Sequence, residues 1–257
     1  MAVYNCHNFL PEALDSIASQ TLAEIEFLVA DDDSTDRTWT TLQDYAAPDS
    51  RLIVNSQEDG GLTITLNALV SKARGKFLAR MCGDDIALAD KLQKQCTFLY
   101  SHTECVAVGS TTIRMDAKGR PIGPVEPPTS RIDIDQKNLR GFTSMHHTSV
   151  IMRAEAFRQV GGYDENIYTA QDLNLWLRLA EIGTLANIAE PLLKYRLHRN
   201  SISVKKRAIQ RANARAACEM AWARRGLSDI KLEADYWRAD AQSTAFEDDL
   251  VRTGWQA

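Results

Sequence analysis

The sequence predicts an α/β protein: a mostly parallel, doubly wound sheet with a helical appendage at its C-terminus. Three observations lead there. Over residues 1–109, short apolar runs alternate with stretches of helical period, as when strands are joined by crossover helices. Two of those runs, residues 25–30 and 76–81, stop abruptly at acids, Asp31-Asp32-Asp33 and Asp84-Asp85. Ligands of such sheets bind at the carboxyl ends of the strands, which is where both acidic clusters fall. Beyond residue 204 the pattern becomes helical.

The elements follow in order. Met1-Ala2-Val3-Tyr4-Asn5 reads as the last residues of a buried strand whose earlier part would precede Met1. Leu10, Ala13, Leu14, Ile17 and Ala18 keep helical spacing over residues 8–20, with Pro11 suited to a first turn. A strand over 25–30 is followed by a helix over 38–45, with Asp36 or Thr35 as expected N-cap. Then come a strand over 52–54, Gly60-Gly61, a helix over 63–73, a strand over 76–81, a helix over 88–100 and a strand over 106–108. Residues 110–144 carry Pro121, Pro124, Pro127 and Pro128 and read as loop, a mobile segment over a site. A compact stretch runs from Val150 through Trp176 to Leu193, and residues 203–225 and 232–250 read as helices. The expected division is 1–204, in halves of about 1–109 and 110–204, with an extension over 205–257.

Composition removes several classes. A net charge of -4 gives no general attraction to nucleic acid. The exception is local: Lys194, Arg196, Arg199, Lys205, Lys206, Arg207, Arg211, Arg215, Arg224 and Arg225 stand against Glu219 alone. On the expected helix, Arg207, Arg211 and Arg215 share one side. Ile209, Ala212, Ala216 and Met220 would pack inward, and the basic side could meet an anionic membrane or a lipid-diphosphate. The five cysteines are odd in number and lack metal-knuckle spacing, which fits reduced thiols in a cytoplasm. No run approaches the ~20 apolar residues of a membrane span, and no signal peptide is legible at the N-terminus.

The acids carry the chemistry. Adjacent carboxylates are tolerated in any solvated turn, but these directly follow buried strands, where exposure is not the default. A carboxylate pair at a strand end can share a hard divalent cation whose shell is completed by phosphate oxygens. Two such clusters on strand–helix units of one sheet point into a common cleft. Asp172, after Gln171, opens the apolar helix around Trp176, where an acid also suits the helix dipole. His198 stands among cations and polar residues, where a lone histidine is more often structural than functional.

With these residues in view, the chain resembles a family-2 glycosyltransferase of the GT-A fold, a Rossmann-like architecture, over residues 1–204. The resemblance rests on Val3-Tyr4-Asn5, on Asp31 to Asp36, and on the run from Ala73 to Asp85. It continues through His147, Val150 to Arg153, Val160 to Glu165, Gln171-Asp172 before Trp176, and Tyr195-Arg196-Leu197-His198. It implies an inverting, non-processive enzyme. Tyr4, Asp31, Asp32 and Asp84 would meet the nucleoside of a nucleotide-sugar donor, with uridine the default base. Asp85 would ligate Mn²⁺ or Mg²⁺ bridging the diphosphate, His198 would approach the metal or diphosphate, and Asp172 would deprotonate the acceptor hydroxyl. The acceptor would be a carbohydrate or a lipid-linked group, in cell-surface polysaccharide or glycoconjugate synthesis. The chemistry asks for these parts: a diphosphate leaving group needs its charge offset, and a hydroxyl nucleophile needs a base.

The chain departs from the family pattern in places. Cys82 stands where another Asp is usual, followed by Gly83; Gln171 replaces a Glu, Asp33 a Gly and Ala2 a Pro. A Cys82 thiolate would suit softer metals than Mg²⁺. Two rival readings remain at this level. One is a non-catalytic nucleotide-sugar-binding protein of the same fold. The other is a haloacid-dehalogenase-like phosphatase, in which Asp31 would be the nucleophile and Asp33 the acid/base.

Overall fold

A computed structural model describes residues 1–167, 169–198 and 207–233. The chain runs β1 (Ala2–Val3), α1 (Leu10–Ala18), β2 (Phe27–Asp32), α2 (Thr38–Ala46), β3 (Leu52–Gln57), α3 (Gly61–Lys72), β4 (Phe77–Ala79) and β5 (Ile86–Ala87). It continues with α4 (Lys91–Ser101), β6 (Cys105–Met115), β7 (Pro121–Val125), α5 (Arg131–Leu139) and a single 3₁₀ turn, His147–Ser149. Then follow β8 (Ile151–Arg153), α6 (Ala154–Gln159), α7 (Gln171–Leu179), β9 (Thr184–Arg196) and α8 (Arg207–Arg225). Part of the expected helix over 203–225, and nearly all of the one over 232–250, lie outside the described residues.

The strands form two sheets. In the first, β1-β2-β3, all pairing is parallel, with Ala2 opposite Ala30 and Phe27 opposite Leu52. The second has the order β4-β8-β6-β9-β5, with β7 paired to β6. There only β6 and β9 run parallel, while β4–β8, β6–β8, β5–β9 and β6–β7 are antiparallel. Parallel pairing thus holds where strands and helices alternate strictly in sequence. It gives way where short connections let strands fold back.

Successive residues of a strand point to opposite faces, and the core shows it. Leu78, Ala107 and Met152 join Leu66 and Leu69 of α3, Phe157 of α6 and Trp176 of α7. Their neighbours Phe77, Val108 and Ile151 join Leu92 and Leu99 of α4. Helices α3 and α4 therefore cover opposite faces of the sheet layer. A further cluster seats α1, through Leu10, Ala13, Leu14 and Ile17, against Val29 of β2 and Leu42 of α2.

Two expectations are corrected. The stretch over 110–144 is not a loop: β6 extends to Met115, β7 pairs back onto it, and α5 follows. Ser110, Thr111 and Thr112 are buried in β6, so the strand continues without a hydrophobic run to announce it. Pro121 and Pro124 are accommodated because β7 pairs on one side only. In α8 the buried residues are Ala214, Ala217, Cys218 and Ala221, packed on Leu173 and Leu177 of α7 and on Leu139. Ile209, Ala212 and Met220, expected to pack inward, are exposed. Small residues let the two helices approach closely, so the alanine stripe rather than the bulkier one is chosen.

Candidate active site

The site is assembled from the ends of β1, β2 and β4, the start of α7 and the end of β9. Asp31 and Asp32 are the final residues of β2, not part of a loop, and both are buried. Asp32 Oδ1 accepts from Gln57 Nε2 at 3.0 Å, Gly60 N–H at 3.1 Å and Thr65 Oγ1 at 2.8 Å. Asp31 is less satisfied: its Oδ1 is buried without a hydrogen-bond partner, and burial raises its pKa against the opposing pull of Ser34. Asp33 has φ +67, the left-handed region that glycine occupies freely. That explains why this position is usually Gly in the family it resembles.

Asn5, at φ +47, ties β1 to this turn. Its Oδ1 accepts from Thr35 N–H at 2.9 Å and Asp36 N–H at 3.3 Å, and its own N–H donates to Ser34 Oγ at 2.9 Å. Asp36 Oδ1 in turn accepts the Thr38 N–H at 2.8 Å, opening α2. Tyr4 beside it is 56% exposed.

Asp84 and Asp85 lie in the turn between β4 and β5. Oxygens of both and the Cys82 Sγ lie within 4.8 Å of one another. Asp85 is fully buried. Its Oδ1 accepts the Arg196 backbone N–H at 2.9 Å, while the buried Oδ2 makes no hydrogen bond of acceptable geometry. Burial first, and then the charge of Asp84, push its pKa up to about 8. An orphaned carboxylate oxygen beside a second carboxylate fits a hard cation. Without a cation, Cys82 is held as a thiol: burial pushes its pKa up to about 12 in spite of the adjacent Arg80, whose Nη2 lies 3.2 Å from the sulfur. The two carboxylates suit Mg²⁺ or Mn²⁺, with the Cys82 sulfur in the same group. Gly83 is required by crowding: a Cβ there would sit 2.9 Å from Cys6 Sγ and 3.0 Å from Val3 Cγ1.

The return of β9 brings the last pieces. Pairing of Ile86 with Lys194 and of Ala87 with Leu193 lays the end of β9 across the acidic turn. His198 Nε2 is 2.8 Å from Asp84 Oδ2, so the structure sets this histidine on Asp84 rather than on Asp85. Arg196 is 2% exposed. It donates to the Asp84 carbonyl at 2.8 Å and the Ala117 carbonyl at 3.2 Å, pairs with Glu12, and stacks on Phe9 at 4.8 Å.

The two acidic clusters do converge. The Cys6 thiol, its pKa raised chiefly by burial, also feels the charges of Asp84, Asp36 and Asp31. Asp172 sits half-buried in the first turn of α7, after Ala170 at φ +59. Burial raises its pKa, while the Leu173 N–H, its own N–H and the Arg80 charge pull the other way. The charge of buried Arg80 acts on both Asp172 and Asp85, and so couples the candidate base to the candidate metal ligands. His147 reaches Tyr163 Oη at 2.7 Å, a partly buried pair. Arg80, Arg196 and His147 fall within the family motifs without a role that the sequence assigns. Arginines inside otherwise apolar strands were the available signal, since buried charge is rarely idle.

Among the described residues, no helix is long and apolar enough to cross a membrane. Comparison with known proteins agrees with the geometry. A family model, glycosyl transferase family 2, matches residues 1–161. EpsE of Bacillus subtilis (strain 168), named as a glycosyltransferase, is 32% identical over 214 residues, covering 81% of this chain and 75% of its own. TarS from S. aureus, crystallised in complex with UDP-GlcNAc, superposes with a TM-score of 0.72 at 15% identity, covering 98% of this chain and 76% of its own. The mannosyltransferase PcManGT from Pyrobaculum calidifontis, in complex with GDP-Man and Mn²⁺, gives 0.61 at 15% identity, covering 98% and 81%. At those identities the two structures speak for the fold alone, which is the GT-A α/β fold. The phosphatase reading does not survive the match. The chain belongs to glycosyltransferase family 2 and is a glycosyltransferase.

Proposed function

We propose that this enzyme transfers a sugar, with inversion, from a nucleoside-diphosphate sugar to a hydroxyl of a carbohydrate or lipid-linked acceptor, in cell-surface polysaccharide or glycoconjugate synthesis. The observation that carries the reading is Asp85: a fully buried carboxylate, one oxygen unpartnered, beside Asp84. Burial still outweighs the Arg196 N–H, Thr148 and the Arg80 charge that favour its anion, so a cation against the open oxygen would stabilise the charged form.

In this reading Asp85 holds Mn²⁺ or Mg²⁺ together with Asp84, whose carboxylate His198 orients and whose carbonyl Arg196 fixes. When bound, the ion offsets the charge that develops on the departing diphosphate. Asp31, Asp32 and Tyr4 receive the nucleoside, Tyr4 as a stacking face and Asp31 through its free Oδ1. Uridine is the base we assign; structural neighbours hold UDP-GlcNAc and GDP-Man. Asp172 takes the acceptor proton, its raised pKa bringing it nearer the working range of a general base. Single transfer rather than polymerisation is assigned because no Gln-x-x-Arg-Trp tract follows Asp172. A cytoplasmic protein, held peripherally to an anionic membrane through residues 205–215, completes the picture.

The test is calorimetric titration of UDP into the protein with Mn²⁺ and with chelator. Metal-dependent binding in the wild type, lost in Asp85→Ala with the fold intact, is the expected result. Equal metal-dependent affinity in the two proteins would remove Asp85 from the metal.

A further inference from the structure

Cys82 is set apart from the other cysteines by its surroundings. Among the described residues, Cys6, Cys96, Cys105 and Cys218 each belong to an apolar cluster. That is the ordinary place of a free cysteine, which packs as a small hydrophobe. Cys82 belongs to none of these clusters. Its hydrogen bonding differs as well. The Cys105 thiol donates to the Ala107 carbonyl at 3.2 Å, and the Cys218 thiol to the Asn138 carbonyl at 3.5 Å. At Cys82 the direction is reversed: Arg80 Nη2 donates to the sulfur at 3.2 Å, and a guanidinium has no acceptor to offer in return. The sulfur is presented as an electron-pair donor.

The acidic pair shares its space. The Cys82 Sγ and one oxygen each of Asp84 and Asp85 lie within 4.8 Å of one another. Metal bonds run to about 2.0–2.2 Å for oxygen and ~2.3 Å for sulfur, so one ion can join all three donors with small closing movements. The independent sign of a ligand is Asp85, fully buried and with an Oδ2 that makes no hydrogen bond of acceptable geometry. Charge is also balanced. Two carboxylates and a thiolate exceed a divalent ion by one negative charge, and the buried Arg80 guanidinium beside the sulfur offsets it.

Building on the metal assignment of Asp85 under the proposed function, we propose that Cys82 is a third ligand of the ion held by Asp84 and Asp85. Its thiolate turns the site from Mg²⁺ toward Mn²⁺ and, beyond it, toward thiophilic ions such as Co²⁺, Zn²⁺ and Cd²⁺. As the metal–sulfur bond forms, the S–H bond breaks and its proton passes to solvent, with no change of oxidation state. Mg²⁺ keeps to oxygen donors and to its own waters, so the sulfur adds little to its hold. Softer ions gain from it directly. Later first-row ions bind most sites more tightly than Mn²⁺, so sulfur is detected by its own signature and by what its removal costs.

Co²⁺ titrated into the full chain, with and without UDP, reports sulfur ligation through a near-ultraviolet thiolate-to-cobalt charge-transfer band. The band is expected in the wild type and absent from Cys82→Ser and from Asp85→Ala. Cys82→Ser should lose about 10–100-fold or more in Cd²⁺ affinity, at least the cost of removing an outer-shell partner, while its Mg²⁺ affinity hardly changes. Cys82→Asp, which restores the acid usual in the family, should bind Mg²⁺ more tightly than the wild type and show no band. If the variants fail to fold, cadmium NMR of the wild type decides: a sulfur ligand moves the bound ion's resonance far downfield, and excess Mn²⁺ should erase that signal. Binding of Co²⁺ or Cd²⁺ without the band or the downfield resonance overturns the proposal, as does a band that persists in Cys82→Ser. The metal assignment of Asp85 survives both of those results. No binding of any divalent ion overturns that assignment and the thiolate ligand together.

Discussion

Arg196 donates its backbone N–H to the Asp85 carboxylate at 2.9 Å across 111 positions of sequence, and its Nε–H reaches the Asp84 carbonyl at 2.8 Å. One buried arginine at the end of β9 thereby sets the posture of both acids. Arg196→Lys keeps the charge but cannot reach Asp84, Ala117 and Glu12 together. It should destabilise the protein by about 1–3 kcal/mol and weaken Mn²⁺ binding. Unchanged melting and unchanged metal titration would show that Arg196 positions nothing.

The pH dependence of Asp85 has a definite sign. Its pKa rises from 3.8 to about 8 on folding without metal, so the folded state holds a proton that the unfolded state releases. Stability of the chelated protein should therefore fall as pH rises from about 4 to 8. Asp85→Asn should melt above the chelated wild type at pH 7.5, with the gap closing near pH 4. Mn²⁺ should favour the wild type increasingly as pH rises, because the ion displaces that proton. A gap independent of pH would contradict the assignment.

Asp172→Asn removes the proton-accepting ability while keeping shape. Turnover should fall by about 10²–10⁴-fold, with UDP affinity nearly unchanged. Loss of binding with little loss of rate would make Asp172 a positioning residue at the start of α7.

The basic stretch around α8 gives a salt test. Arg224 and Arg225 are engaged with Glu181 and Asp135; the membrane reading concerns residues 205–215. Each cation near an anionic bilayer contributes about 1 kcal/mol. Co-sedimentation with anionic liposomes should appear at low salt and vanish at high salt. It should also vanish when Arg207, Arg211 and Arg215 become Gln. Absence of sedimentation at every salt concentration would leave α8 a packing helix alone.

Much of this was legible because local patterns and tertiary needs agreed. The run from Phe27 to Ala30 ending in Asp31-Asp32, the helical spacing of Leu10, Leu14 and Ile17, and the order of the family motifs are properties of neighbouring residues. They predicted the parallel first sheet and the positions of the acids without reference to anything distant. Other features depended on partners remote in sequence. Ser110 to Thr112 continue a buried strand only because β9 and β7 pair with it, and Ala214 and Ala217 face inward only because α7 offers Leu173 and Leu177. The sequence alone determined which residue types stand at the strand ends and so the class of chemistry. The tertiary structure decided that Arg196 reaches Asp84 and Asp85, that His198 meets Asp84, and that Arg80 is buried where its charge acts on both Asp85 and Asp172. Those outcomes follow from burial and, for Arg196 and His198, from contacts across more than a hundred residues, which no local pattern encodes.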